Sequence, residues 1–261
     1  MRTPVPVVEI DLGAGVRAGF TTRAGGVSAG PYASLNLGLN VADDERDVAT
    51  NRALVGGWAG GPLTFATQVH GAAIAVVPAG VGPDAAPARH VDGLVAGPGV
   101  AVGVLVADCV PVLLADSGGR AVAAVHAGRA GLASGVVQAA VAALGAAGVP
   151  AGRIRAAIGP AICGACYEVP AELRAAVAGV VPAVWATTSW GTPALDLPAG
   201  VAAVLAAAGV RDVQRVDACT RTDLRFYSHR RAQANGATTG RFAGVIRATG
   251  RVPGVSDRRS S

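Results

Sequence analysis

Four histidines and four cysteines are all that this chain of 261 residues offers for soft-metal or thiol chemistry. His70 stands in ATQVHGA, between a polar segment and a strand. His126 closes the apolar run AVAAVH, and the turn AGRAG follows at once. Cys109 lies in LVADCVPVLL (105–114), which reads as a core strand except at Asp108 and Cys109. A buried carboxylate is costly unless it is paired, hydrogen-bonded or near a metal, whereas a buried thiol is cheap. Pro111 offers no ladder donor and disturbs regular pairing there. His70, Cys109 and His126 thus all fall at strand ends or irregularities. Two imidazoles and one thiolate form a borderline-soft set for zinc, and three protein ligands leave a fourth position open, as at catalytic sites. No compact ligand motif joins them, so a buried cysteine and two ordinary histidines is the competing reading.

Neighbours on a regular strand face opposite sides, so Asp108 and Cys109 reach one metal only across a bulge. Asp108 is either a supporting carboxylate that orients a ligand or a backbone amide, a general base, or a turn carboxylate accepting N–H bonds. AGRAG (127–131) presents amides and Arg129 to an anion at a helix start, or is a plain tight connection. CGAC (163–166) is a redox pair, half of a zinc site, or thiols packed in a turn. Two polar segments offer donors to a ligand or are surface loops. One is TTRAGGVSAGPYASLNLG (21–38), with Arg23, Ser28 and Asn36. The other is FYSHRR (226–231), with Arg230 and Arg231.

The elements that must position these groups alternate. Apolar, β-rich runs predict strands at 73–77, 100–107, 121–125, 154–158 and 242–246. Helical spacing is clearest at 130–144, where Leu132, Val136, Val137, Ala140, Val141 and Leu144 form one stripe. Further helices are expected from Pro170, from Pro198 with Gly209 as stop, and over 45–56 with Asp43 or Asp44 as cap. Residues 78–90 read as an exposed loop and 251–261 as a flexible tail. The fold class is α+β or mixed α/β, in a single domain over 1–261.

At 51% hydrophobic residues, the chain can build a sizeable core. All 22 basic residues are Arg, and the net charge of +5 gathers beyond Arg211. Apart from Phe226, Tyr227 and Phe242, no aromatics interleave with those arginines, so the segment reads as solvated surface rather than a nucleic-acid interface. The N-terminus lacks the apolar stretch of a signal peptide. The longest apolar run, 94–115, is broken by Pro98, Asp108, Pro111 and several glycines. A cytoplasmic protein that crosses no membrane is expected, with thiols or ligands rather than disulfides.

Several segments, in order, resemble the YfiH family: TRAGGVSAGPYASLNLG, QVHG, DGLVAGPGVAVGVLVADCVPVLL, AAVHAG, IGPAICGACYEV, CTRTDLRFYSHRR and TGRFAGVI. Its members are also called polyphenol oxidase-like or laccase-domain proteins, peptidoglycan-editing factors and purine nucleoside phosphorylases. The likeness runs from about residue 18 to 247. It implies a layered α/β/β/α fold with mixed sheets, and zinc held by His70, Cys109 and His126. The implied activity is phosphorolysis of adenosine, inosine, guanosine and methylthioadenosine, with adenosine deamination beside it. The implied partners are a purine nucleoside and phosphate.

One departure stands out. The family commonly reads HAGWRG after the second histidine, and this chain reads HAGRAG, with Arg129 for Trp and Ala130 for Arg. Either Arg129 takes over the phosphate role from one residue away, or stacking on the base is lost. In the working reading the metal activates a water or substrate oxygen, Cys109 and His126 form the reacting centre and Asp108 moves the proton. Arg23, Ser28, Asn36, Arg129 and Arg231 bind substrate. The alternatives are a peptidoglycan-precursor editing hydrolase and a cysteine hydrolase with Cys109 as nucleophile. A copper-dependent polyphenol oxidase fits poorly. There is no His-x-His pair, and Met1 is the sole methionine, which leaves no axial ligand. Copper is a possible substitute ion at the trio.

Overall fold

The computed structural model describes residues 5–79 and 90–250. The expected loop at 78–90 falls mostly, and the expected tail at 251–261 wholly, outside the described residues. In chain order the first elements are β1 (Val7–Ile10), β2 (Val16–Thr21), α1 (Glu45–Ala59), β3 (Leu63–Phe65), β4 (Ile74–Val77), β5 (Gly93–Ala96) and β6 (Ala101–Val106). There follow β7 (Val110–Asp116), β8 (Val122–Ala127), α2 (Arg129–Ala133), α3 (Val136–Ala146), β9 (Ile154–Ile158) and α4 (Ala171–Val180). The chain continues through β10 (Trp185–Thr187), β11 (Pro193–Leu195), α5 (Leu197–Ala207), β12 (Asp212–Arg215), α6 (His229–Ala234) and β13 (Phe242–Ala248).

Two mixed sheets carry the molecule. The first runs β1-β2-β13-β6-β3, with only β3 and β6 parallel. The second runs β12-β9-β7-β8-β5-β4, with parallel pairs at both edges. Side chains alternate across each strand, so the strands feed two cores. Leu113 and Ala115 of β7 join Phe20, Leu94, Val102, Ala157 and Ile246 between the sheets. Val112 and Leu114 point the other way, into a core closed by α2, α3, α4 and α5. Beyond the first sheet, Val55 and Ala59 of α1 cover Leu63, Phe65, Ala243 and Val245. The α/β/β/α layering and mixed sheets follow directly. Among the described residues no helix is long and apolar enough to cross a membrane.

The helix starts follow their caps. The Asp44 side chain accepts from the Arg46 amide at the head of α1, and Asp196 accepts from Ala199 at the head of α5. The expected helix over 130–144 is in fact two, α2 and α3, because Gly135 adopts φ 91°. That left-handed conformation suits glycine and ends a helix. The apolar stripe nevertheless stays on one side, with Leu132, Val136, Val137, Ala140 and Leu144 all buried.

LVADCVPVLL is likewise not one strand. Its first half is β6, in the first sheet, and its second half is β7, in the other. Ala107, Asp108 and Cys109 cross between the sheets, with Asp108 at φ 94°. The expected irregularity is therefore a change of sheet rather than a bulge. Pro111 lies near the start of β7, opposite His126, and its carbonyl accepts from the Gly159 amide at 2.9 Å.

Candidate functional site

Where the chain changes sheet, β7 and β8 bring Cys109 and His126 side by side, and the segment before β4 brings His70 against both. The two imidazole rings meet edge to face with centroids 4.7 Å apart. Cys109 Sγ lies 3.8 Å from His70 Nε2. One ligand atom from each of the three residues falls within 4.8 Å of the others. His126 is buried, Cys109 half-buried and His70 exposed, so the cluster opens toward solvent on one side.

One residue outside the trio organises it. Asp92, wholly buried just before β5, faces His126 Nδ1 at 2.8 Å through Oδ1. The same oxygen accepts the His70 amide at 2.9 Å, and Oδ2 accepts the amides of Val69 at 3.1 Å and Gly71 at 2.7 Å. Burial opposes ionisation, but these hydrogen bonds, that of His126 foremost, hold the carboxyl below its usual range. The carboxylate thereby fixes the His126 ring with Nε2 facing Cys109, the arrangement that orients metal-binding histidines. It also supports the backbone of His70, which adopts φ 60°.

The space around the trio is tight. A Cβ added to Gly128 would stand 2.7 Å from His70 Cδ2, 3.2 Å from Cys109 Sγ and 3.5 Å from His126 Cε1. A Cβ on Gly131 would meet the Gly71 carbonyl at 2.8 Å. Both glycines of AGRAG are therefore required by close packing on the trio. The donor set and its spacing suit a zinc-sized ion, for which bonds of about 2.0–2.3 Å are usual.

Burial alone would raise the Cys109 thiol. The His126 charge and hydrogen bond, with a smaller contribution from His70, bring it down to about 6. Burial alone would lower His126. The Cys109 charge and the Asp92 hydrogen bond push it up to about 9. Between these values the metal-free pair is a thiolate beside an imidazolium, and a bound cation would take the place of that imidazolium proton.

Two recesses meet at the trio. The larger, about 430 Å³, is walled by Leu39, Val41, Phe65 and Leu105 and carries Arg52, Thr67 and Arg241. The smaller, about 370 Å³, is lined by Arg129, Tyr167, Arg230 and Gln233 beside Asp108. His70, Cys109 and His229 border both.

The sequence-level assignments divide sharply here. Of the five substrate-binding candidates, Arg129 alone lines a recess. Arg23 donates through Nε to the Ala33 carbonyl at 2.8 Å and lies over the Tyr227 ring. Ser28 donates to Asp43 at 2.7 Å, and Asn51 donates to Ser28 at 2.9 Å. Asn36 accepts the amides of Arg241 at 2.8 Å and Gly38 at 3.0 Å, so it serves the larger recess through those two backbone segments. Arg231 spends its guanidinium on the carbonyls of Thr220, Arg221 and Phe226. Asp108 lines the smaller recess, and its oxygens accept from Thr220 Oγ1 and the Arg230 amide, both at 2.6 Å. The residues that sequence reasoning missed are Asp92, Tyr167 and Arg241, and His229 stands within the polar segment FYSHRR without a role of its own. The only signal for Asp92 is a carboxylate directly before an apolar run, VDGLVA.

The sequence profile of the family described as multi-copper polyphenol oxidoreductase laccase matches residues 17–249. A Streptomyces coelicolor protein named purine nucleoside phosphorylase is 50% identical over 236 residues, covering 89% of this chain and 95% of its own. The crystal structure of a Neisseria meningitidis protein superposes with a TM-score of 0.83 at 35% identity, covering 95% of this chain and 100% of that one. The structure of the Bacillus licheniformis hypothetical protein YfiH gives a TM-score of 0.80 at 32% identity, covering 88% and 92%.

Four outcomes follow from this geometry. Replacing Asp92 by Asn puts an amide donor against donors, and should weaken metal binding about 10–100-fold in a chelator competition. Gly128→Ala should cost about 1–3 kcal/mol of stability by overpacking, measured by denaturant unfolding, and should displace His70. In metal-stripped protein, alkylation of Cys109 followed by mass spectrometry should rise with pH through about 6, as the thiolate forms. His126→Gln removes the main lowering influence, so that midpoint should move upward.

Proposed function

The chain belongs to the YfiH family of laccase-like proteins, and from that premise we propose that it is a zinc-dependent cytoplasmic purine nucleoside phosphorylase that also deaminates adenosine. The observation that carries this reading is the pair of unlike recesses meeting at one His–Cys–His cluster. The relatives named purine nucleoside phosphorylase support it, at up to 50% identity.

In this proposal the nucleoside enters the larger recess. Phe65, braced by the Arg52 guanidinium 4.8 Å from its ring centroid, gives an apolar wall for the purine. The side chain of Gln68 is bound to the Leu105 backbone in both directions, at 2.8 Å each, and keeps that wall in place. Phosphate takes the smaller recess between Arg129 and Arg230, whose charges suit an oxyanion. Arg230 is itself held by the Glu168 carbonyl at 2.8 Å and lies over the Tyr167 ring. Arg129 thus supplies near Tyr167 the charge that the family's usual arginine would bring from position 130. His70, Cys109 and His126 would hold the zinc, and when bound it supplies Lewis-acid chemistry beside both substrates.

The proton economy falls to His229. It borders both recesses, and Ser228 caps the start of α6 directly before it. During phosphorolysis the C1′–N9 bond breaks as a phosphate oxygen bonds to C1′, and the departing purine needs a proton. His229 is positioned to hold that proton. Asp108 contributes by fixing the Arg230 amide and the turn at Thr220 rather than by moving protons.

A second reading, a cysteine hydrolase, draws on the thiolate–imidazolium pair of the metal-free site. It requires activity that survives chelation and fails on alkylation.

With zinc-loaded protein, adenosine and phosphate, the products should be adenine and ribose 1-phosphate. Without phosphate, inosine should form. His229→Ala should lower the phosphorolytic kcat about 10²–10⁴-fold at unchanged zinc content. Absence of both products, or an undiminished rate in His229→Ala, contradicts the proposal.

A further inference from the structure

A second group of soft donors lies outside this site. Cys163 and Cys166 belong to the CGAC turn after β9, and Cys219 follows β12. β9 and β12 run parallel, and their extensions stay paired as far as the bridge between Ala161 and Cys219. That pairing delivers all three thiols to the carboxyl ends of the two strands. Their sulfur atoms lie within 4.8 Å of one another, and all three are free and half-buried. Zinc–sulfur bonds of about 2.3 Å place tetrahedral thiolates about 3.8 Å apart, so closing on one ion needs only a small adjustment.

The backbone is already arranged for it. The Cys163 carbonyl accepts the amides of Cys166 at 2.9 Å and Tyr167 at 3.0 Å, which folds CGAC into a tight knuckle. The Cys163 amide donates to Cys219 Sγ at 3.4 Å, a bond that favours a thiolate there. Arg221 lies alongside, donating to the Cys166 carbonyl at 3.2 Å and resting over the Trp190 ring. Its charge offsets that of a cluster of thiolates.

We propose that Cys163, Cys166 and Cys219 bind a second, thiophilic d10 cation, zinc or copper(I). Three sulfurs make a softer set than two imidazoles and one thiolate, so this site ranks metals differently from the first. Binding releases the thiol protons to solvent and changes no oxidation state. Its place in the fold gives it a structural task. Cys166 precedes Tyr167, on the wall of the smaller recess, and Cys219 precedes Thr220, which holds the Asp108 carboxylate. The Ile162 amide also donates to the Asp108 carbonyl at 3.0 Å. A cation there ties the CGAC turn to the 219–223 turn and stiffens the back of that recess.

The test is anaerobic titration of metal-free, reduced protein with zinc, and separately with copper(I), against a competing chromophoric chelator. The wild type should bind two equivalents. Cys109→Ala should retain one, and so should Cys219→Ser and Cys166→Ala. Whichever ion resists the chelator more strongly at the site that survives Cys109→Ala names the cation. Because a variant could fail to fold, alkylation of the wild type is read beside it. Cys163, Cys166 and Cys219 should be protected in metal-loaded protein and modified once the metal is stripped. A single equivalent that vanishes in Cys109→Ala overturns the proposal. So does a Cys163–Cys166 disulfide, seen by mass, in protein that has taken up its metal.

Discussion

The buried carboxylate of Asp92 is the constraint on which the site depends. A charge this deep is tolerable only when its oxygens are fully engaged, and here they meet three amides and one imidazole. The same four bonds that satisfy the acid also fix the two histidines. One holds the His126 ring, and the others gather the backbone at His70. Cys109 then needs only to arrive at the right place, which the change of sheet between β6 and β7 ensures. Gly128 leaves room for the three to meet.

The packing explains why the His–Cys–His cluster is found at this seam. Two sheets share a dry core of Phe20, Leu94, Val102, Leu113 and Ile246, and a strand that leaves one for the other must expose backbone as it crosses. Asp108, at φ 94°, pins that crossing to Thr220 and to the head of α6. The same bonds set His229 and Arg230 at the rim. The recesses on either side of the trio are therefore consequences of how the crossing is anchored. They combine apolar walls with a few convergent cations, the usual make-up of a small-molecule site.

Much of this is legible in the sequence, for identifiable reasons. His70, Cys109 and His126 stand out because rare, chemically potent residues fall where strand periodicity breaks. The helix stripes and caps are legible because α1 and α5 begin at acids that bond their own first turns. Gly135 escapes notice because the apolar stripe continues across it while the backbone does not. Ser28, Asn36, Arg23 and Arg231 read as ligand donors, yet each spends its hydrogen bonds on the protein itself. Residue type alone does not separate a polar group that serves a ligand from one that serves a carbonyl. Asp92 is the converse: a lone acid before a strand, whose four partners come together only in the folded chain.

The central claim is that Asp92 orients His70 and His126 so that they and Cys109 hold one metal ion. Diffraction recorded on both sides of the zinc absorption edge, from crystals of zinc-loaded protein, tests it directly. The account predicts an anomalous peak bonded to Cys109 Sγ and to one ring nitrogen of each histidine, with Asp92 still paired to His126 Nδ1. No peak at the trio, or one reached through His126 Nδ1 with Asp92 displaced or itself a ligand, would contradict it.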